Sequence, residues 1–360
     1  MRAGYMLPTL HPYELNEQLA EAAVAAGYES LWLPDHLLGT YPPELWKQVS
    51  LSALMPDPDA WLDPFCTAAM LSRRFDVPLG TSVTDSVRRR AIDIARTALT
   101  LHHANRRGFI IGVGTGEKES TVPFGYDFDS PVARLESFLV ELRALLTTGA
   151  MPTGPGRTGL PLRTEAGPPQ IWIAAHGPRM LRLAGLYGDG WLPLGLSPRQ
   201  YGTALGTVRE AAAAAHRPTP TASLVLITMF SSSRGRLVEE INSAPLSKML
   251  MLFASADVWR QYGLQHPAGP DCRGFVDVVP HDLEPDLIHR ALADVPIEMF
   301  EKFVTLGNAD EVASRIGEWQ TNGLEHVVIA DYSGVSGPVE RATEHLPELH
   351  RLPGLLASVG

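Results

Sequence analysis

In Arg107-Gly108-Phe109-Ile110-Ile111-Gly112-Val113-Gly114-Thr115-Gly116-Glu117, a short apolar run breaks into glycines at alternate positions and ends in an acid. The run is long enough for a buried parallel strand and too short for a helix. Glycines there let a planar ligand lie against the main chain. In an α/β protein that place is the carboxyl end of a strand, where ligands bind. Neither common nucleotide loop fits. The dinucleotide fingerprint needs a glycine where Glu117 stands, and a Walker loop needs Gly-Lys-Ser/Thr where Lys118 sits between Glu117 and Glu119. Two readings remain: a ligand-binding turn, or a tight βα turn whose glycines serve geometry only.

Working outward, strands alternate with helices. Upstream, a strand over Ala3–Leu7 precedes a helix over Tyr13–Ala26, with Leu15, Leu19, Ala22, Ala23 and Ala26 as its apolar stripe and Gly27 as C-cap. A strand over Ser30–Pro34 ends at Asp35-His36. A helix near Pro64–Arg73, a strand over Val77–Val83 and a helix over Ala91–Ala104 lead into the glycine strand. Downstream, Val132, Leu135, Phe138, Leu139, Leu142 and Leu146 give the cleanest helical period. Strands over Ile171–Ala174, Gly190–Pro193, Ser223–Phe230 and His326–Ala330 follow, with helices at Pro178–Tyr187, Pro198–Ala215, Leu237–Phe253 and Ala309–Thr321.

Eight strands in this order predict an α/β fold, a (β/α)8 TIM barrel forming one domain over residues 1–360. A doubly wound sheet would have fewer strands and would leave the last ones as a separate unit. Two excursions interrupt the rhythm, at about 37–63 and 254–299. The first is too apolar for a disordered linker (Trp46, Leu51, Leu54, Met55, Trp61) and reads as a folded cover over an apolar pocket. Met151–Pro169 is rich in Gly and Pro and reads as an irregular connection.

Composition narrows the function. With 45% apolar and 19% charged residues the chain can build a sizeable core. A net charge of −10 argues against a nucleic-acid partner and gives no support for attraction to anionic lipid. Cys66 and Cys272 form no metal-type spacing, and no metal site is expected. There is no leader-like start and no apolar run approaching about 18 residues, so a cytoplasmic protein without an integral membrane segment is expected.

Four clusters fall at strand ends, which a barrel points to one face: Asp35-His36, Gly80 to Asp85, Gly112 to Glu117 and Ala174 to Pro178. A histidine there can shuttle protons near neutral pH, although a hydrogen-bonded histidine at a loop entrance looks the same in sequence. Glu117 could act as a second acid or base if partly desolvated. Ala175 to Gly177, before a helix, could offer backbone N–H groups to a phosphate or make an ordinary cap. No Gly-x-Ser-x-Gly elbow supports a nucleophilic serine.

Taken in order, Asp35-His36, Gly80-Thr81-Ser82-Val83, Gly112 to Glu117 and Ile171 to Pro178 through Gly188-Asp189-Gly190 resemble the luciferase-like superfamily, nearest its deazaflavin-dependent oxidoreductases. Val83-Thr84-Asp85 with Arg88-Arg89, Pro131 to Arg134, Ala174 to Arg182 and His266-Pro267 with Gly269 are most similar to phthiodiolone-type ketoreductases. The resemblance implies a TIM barrel, usually a homodimer, that binds coenzyme F420 at the carboxyl end of its strands. FMN, in a monooxygenase served by a partner reductase, is the alternative. A catalytically silent flavin-binding protein is the third reading.

It also implies roles. Ser82 and Val83 would form a non-prolyl cis peptide whose bulge backs the ring, with Thr84 beside them. Asp35, Gly114, Thr115 and Gly116 would lie near the cofactor, and Ala174, Ala175, His176, Gly177 and Pro178 would hold its phosphate tail. His36 would exchange a proton beside the ring, with Glu117 second. Ser120 stands where sugar-phosphate enzymes of the superfamily carry asparagine, and Asp85 where they carry threonine. A small-molecule substrate is expected, and the apolar loop suits a lipophilic ketone better than a sugar phosphate.

Overall fold

The computed structural model describes residues 1–161 and 167–358, so part of the Met151–Pro169 connection lies outside the described residues. Its strands are β1 (Arg2–Met6), β2 (Ser30–Leu33), β3 (Leu79–Thr81), β4 (Thr84–Asp85), β5 (Phe109–Gly114), β6 (Gln170–Ile173), β7 (Gly190–Trp191), β8 (Thr221–Phe230), β9 (Thr305–Gly307) and β10 (His326–Asp331). All pair in parallel. The order β10-β1-β2-β3-β5-β6-β7-β8 closes on itself because β10 also pairs with β8 over His326–Asp331. The chain is therefore a (β/α)8 barrel. β4 prolongs β3 beyond a bulge and pairs with β5, while β9 extends the far end of β8 at Thr228–Phe230.

Alternation along each strand separates two cores. Leu31 and Leu33 of β2, Leu224 and Leu226 of β8, and Val327 and Ile329 of β10 face the ring of helices. Trp32, Val225, Ile227, Met229 and Val328 face the barrel interior. Glycines admit the indoles. A Cβ on Gly80 would stand 2.9 Å from the Trp32 ring and one on Gly190 2.4 Å from Trp172, so the tryptophans fill the volume these residues leave.

The inner core does not stop at the barrel rim. It continues into Tyr41, Leu45, Trp46 and Met55 of the first excursion, into Leu246 to Phe253 just before the second, and into Ala254, Trp259 and Met299 within it. The two excursions touch where His281 Nε2 lies 3.1 Å from Asp59 Oδ2, and the Tyr41 hydroxyl donates to the carbonyl of Leu246, ahead of the second, at 3.0 Å. Phe253, Phe275 and Phe303 stack in series beside them, with ring centroids 4.9 and 5.9 Å apart.

Several local expectations need correction. The helix expected at Leu237–Phe253 is an α-helix over Arg234–Ser243 and a 3-10 run over Pro245–Phe253. Pro245 has no N–H to continue the ladder and excludes the preceding Ala244 from the helical region, leaving it at φ −124° and ψ 87°. The third strand is cut short at Thr81. Of the stripe Leu15, Leu19, Ala22, Ala23 and Ala26, the first helix fully buries only Ala23, together with Asn16 and Ala20. Asn16 takes a core position because its side chain donates to the Leu10 carbonyl and accepts from the Thr9 N–H, both at 2.7 Å. β9 and a C-terminal helix over Leu346–Ser358 add to the expected elements, the helix burying Leu349, Leu352 and Leu356 at helical spacing.

Inside the barrel's amino end, His326 is 4% exposed between Trp32 and Trp172, with Nε2 3.1 Å from Ser30 Oγ. Burial, helped by the Arg2 charge, pushes its pKa down to about 3. A folded value below the unfolded one means that protonation favours the unfolded chain. The His326 contribution is thus present above about pH 6.5 and is lost as pH falls toward 3. Between pH 7.5 and pH 5, wild type should lose about 2 kcal/mol more unfolding free energy than His326→Leu, a difference readable by urea titration at the two pH values. Parallel losses in the two proteins would show that His326 is not buried neutral.

Candidate active site

Residues from three βα junctions meet where β2, β4 and β5 end. Just past β2, Asp35 is buried and His36 half-buried. The Asp35 carboxylate is fully engaged: Oδ2 accepts from Thr84 Oγ1 at 2.6 Å and from Arg89 Nε at 3.1 Å, and Oδ1 from Arg89 Nη2 at 3.2 Å. Arg88 donates to the Asp35 carbonyl at 2.6 Å and pairs with Asp85. Arg89 continues to Asp63, 3.0 Å away, which also caps the helix over Pro64–Leu71.

The Ser82–Val83 peptide, between β3 and β4, is cis. Beyond it Thr84 and Asp85 resume pairing with Val113 and Gly114. A Cβ on Gly112 would fall 1.8 Å from the Thr81 carbonyl oxygen, and one on Gly114 would lie 3.3 Å from Val83 Cγ2 and 3.6 Å from Ala174 Cβ. Gly112 is thus required by the approach of the neighbouring backbone, whereas Gly116, at φ +82°, is required by conformation. The Val83 side chain lies over the glycine strand.

On the far side, Ala174 N–H donates to the Val113 carbonyl at 3.0 Å, and the buried Ala175 carbonyl accepts from Trp191 Nε1 at 2.9 Å. His176 is exposed, with Nε2 2.7 Å from the Leu194 carbonyl. Gly177 and Pro178 open the ten-residue helix Pro178–Tyr187. No side chain caps its N-terminus, and open space surrounds the position of a Gly177 Cβ. Thr115 is half-buried, its hydroxyl 3.4 Å from the Gly116 carbonyl.

The chemistry gathers around His36. Its Nδ1 lies 2.7 Å from Glu119 Oε1 and 3.9 Å from Glu117 Oε2, and its ring meets Trp61 with centroids 4.9 Å apart. A carboxylate can only accept, so Nδ1 carries a proton. Burial alone would lower the imidazole pKa, but the hydrogen bond and charge of Glu119, with Glu117 behind, outweigh it and raise the value to about 9. Burial and then the Glu119 charge push Glu117 up to about 8. Near neutral pH the cluster thus favours an imidazolium and a protonated Glu117. Burial, with both glutamates adding, also raises the Tyr332 phenol beyond β10 to about 12, which keeps it neutral. One donor atom from each of His36, Glu117 and Glu119 lies within 4.8 Å of the others, but Nδ1 is already hydrogen-bonded to Glu119.

The structure brings His36 and Glu117 together, and joins Val83, Gly114 and Ala174 in a second contact. Sequence reasoning placed Trp61 only in the apolar cover and missed Glu119 and Tyr332. The only trace of Glu119 is the acid-x-acid spacing Glu117-Lys118-Glu119. A 3-10 turn over Lys118–Ser120 buries Glu119 and sends Lys118 out to Asp277, 3.0 Å away.

Comparison with known proteins agrees with this architecture. Residues 1–326 match the model of the luciferase-like monooxygenase family. A phthiodiolone/phenolphthiodiolone dimycocerosates ketoreductase of Mycobacterium bovis (strain BCG / Pasteur 1173P2) is 34% identical over 354 residues, 93% of this chain and 92% of that protein. A Mycobacterium tuberculosis H37Rv protein provisionally described as a coenzyme F420-dependent oxidoreductase is 27% identical over 286 residues, 70% of this chain and 78% of its own. Among solved structures, an F420-dependent secondary alcohol dehydrogenase in complex with an F420-acetone adduct superposes with TM-score 0.69 at 15% identity, covering 98% of each chain. At that identity the last likeness concerns the fold.

Proposed function

The chain belongs to the luciferase-like monooxygenase family, and from that membership we propose that it is a coenzyme F420-dependent oxidoreductase that reduces the carbonyl group of a lipophilic ketone. The observation that carries this reading is His36, held as a proton donor at the same barrel mouth as the Val83–Gly114 wall. The ketoreductase relative supports the reaction, and the F420-dependent relative supports the cofactor.

The residues present fit the cofactor. Val83 over the glycine strand offers an apolar wall for a flat ring, and the uncapped helix N-terminus at Gly177 offers N–H groups to a phosphate. When bound, the reduced deazaflavin supplies a hydride. His36 would give its Nε2 proton to a carbonyl oxygen as negative charge develops there. Glu117, protonated near neutral pH, limits the negative charge beside the site. Trp61 and the apolar excursions limit water at the mouth and favour an apolar substrate. A homodimer in the cytoplasm completes the reading. No helix among the described residues is long and apolar enough to cross a membrane.

The test is a fluorescence titration of the protein with F420 and, separately, with FMN. Binding of F420 in preference to FMN is expected, followed by oxidation of reduced F420 on addition of a long-chain ketone. Preference for FMN would move the chain to the oxygen-using branch, and binding of neither would remove the proposal.

A further inference from the structure

We propose that Glu119 is a positioning residue for proton transfer: seated beneath His36, it accepts the Nδ1–H and thereby fixes the ring so that Nε2 presents the transferable proton to the cleft. The inference deepens the oxidoreductase reading and rests on it for the reaction, though not for the geometry.

Three observations carry it. Glu119 is 2% exposed, and its Oε1 lies 2.7 Å from His36 Nδ1, the shortest contact the ring makes. Nε2, in contrast, has no hydrogen-bond partner among the described residues, and the His36 side chain is 28% exposed. One nitrogen is held by the protein and the other is left for a ligand, as expected of a donor whose tautomer is set by a carboxylate behind it. Finally, the 3-10 turn over Lys118–Ser120 anchors this arrangement, since Ser120 Oγ accepts from the Leu37 N–H at 3.1 Å. The turn that carries Glu119 is therefore tied to the segment that carries His36.

Glu117 cannot take over the role. It stands 3.9 Å from Nδ1, too far for a hydrogen bond, and burial beside Glu119 raises it to about 8. The charged groups acting on His36 are Glu119 and Glu117, which favour the imidazolium, and Arg88, which opposes it. Of these only Glu119 touches the ring.

The proposal separates orientation and basicity from mere packing. In full-length protein carrying nitrogen-15 histidine, the His36 ring should show Nδ1 protonated through its titration near pH 9. In Glu119→Gln the titration should fall by about one to two pH units, Glu117 retaining part of the effect. The basic limb of ketone reduction with reduced F420 should move with it. Turnover at pH 9 would then drop about 5- to 50-fold, with the two enzymes converging at pH 6 and the ketone KM little changed. Glu119→Asp, with a shorter reach but the same charge, should recover part of both shifts. His36 titrating at the same pH in Glu119→Gln as in wild type would overturn the proposal. So would a turnover loss equal at pH 6 and pH 9. If wild type turns over no ketone, the oxidoreductase reading falls, and the nitrogen-15 titration still decides the role of Glu119.

Discussion

Replacing His36 with Ala should lower turnover by about 10²- to 10⁴-fold while leaving cofactor affinity within a few-fold of wild type. His36 has one ring nitrogen bound to Glu119 and the other without a hydrogen-bond partner among the described residues, and its imidazolium form is favoured across the physiological range. In the proposed reaction its proton is needed only as the carbonyl oxygen becomes an alkoxide, so the loss is expected in kcat rather than in cofactor binding. Affinity should persist because the wall of Val83 and Gly114 and the helix N-terminus at Gly177 are untouched. Single-turnover oxidation of reduced F420 reads the chemical step, and fluorescence titration reads the binding. A thermal melt is needed beside them, since the variant leaves Glu119 buried without its partner. Unchanged turnover would remove His36 from the mechanism.

The largest stability effect is expected at Asp35. The resemblance places this residue near the cofactor, but both its carboxylate oxygens are engaged by Thr84 and Arg89, and Arg88 lies 3.3 Å from Oδ1. The side chains of Asp35 and Arg88 are only 2% and 6% exposed. Removing one member of a buried ion pair leaves its partners desolvated and uncompensated, at a cost of about 3–5 kcal/mol. Arg88 keeps Asp85 and Arg89 keeps Asp63, which places Asp35→Ala near the lower end, about 3 kcal/mol. With an unfolding entropy of about 2.1 cal/mol/K per residue, that corresponds to a fall in Tm of about 4 °C for a chain of 360 residues. Asp35→Asn, which preserves the shape and one acceptor, should lose less. A stable Asp35→Ala protein with weakened F420 binding would instead make Asp35 a cofactor group.

Both predictions turn on loops that the barrel brings together, and this marks the boundary of what could be read in advance. Strands and helices were legible because their signals are local. Alternate glycines at Gly112, Gly114 and Gly116 announce a strand end, and the period from Leu135 to Leu146 lies on one buried face of an observed helix. Errors arose where local pattern met a competing demand, as at Pro245, which divides an expected helix, and Asn16, which takes a core position through its hydrogen bonds. His36 and Glu117 could be nominated because each lies within a few residues of a strand end.

By itself, then, the sequence determined the alternation of elements, the barrel class and two of the three side chains in the His36–Glu117–Glu119 cluster, since each depends on periodicity or position along the chain. Only the tertiary structure decided that Glu119 lies beneath His36, that Asp35 is committed to Arg88 and Arg89, and that Gly112 yields space to the Thr81 carbonyl. It also decided that the barrel interior runs on into both excursions. The physical reason is closure. Pairing β10 with both β8 and β1 fixes the strands in a ring, and side chains 83 residues apart then come within 2.7 Å by a register that no local pattern encodes.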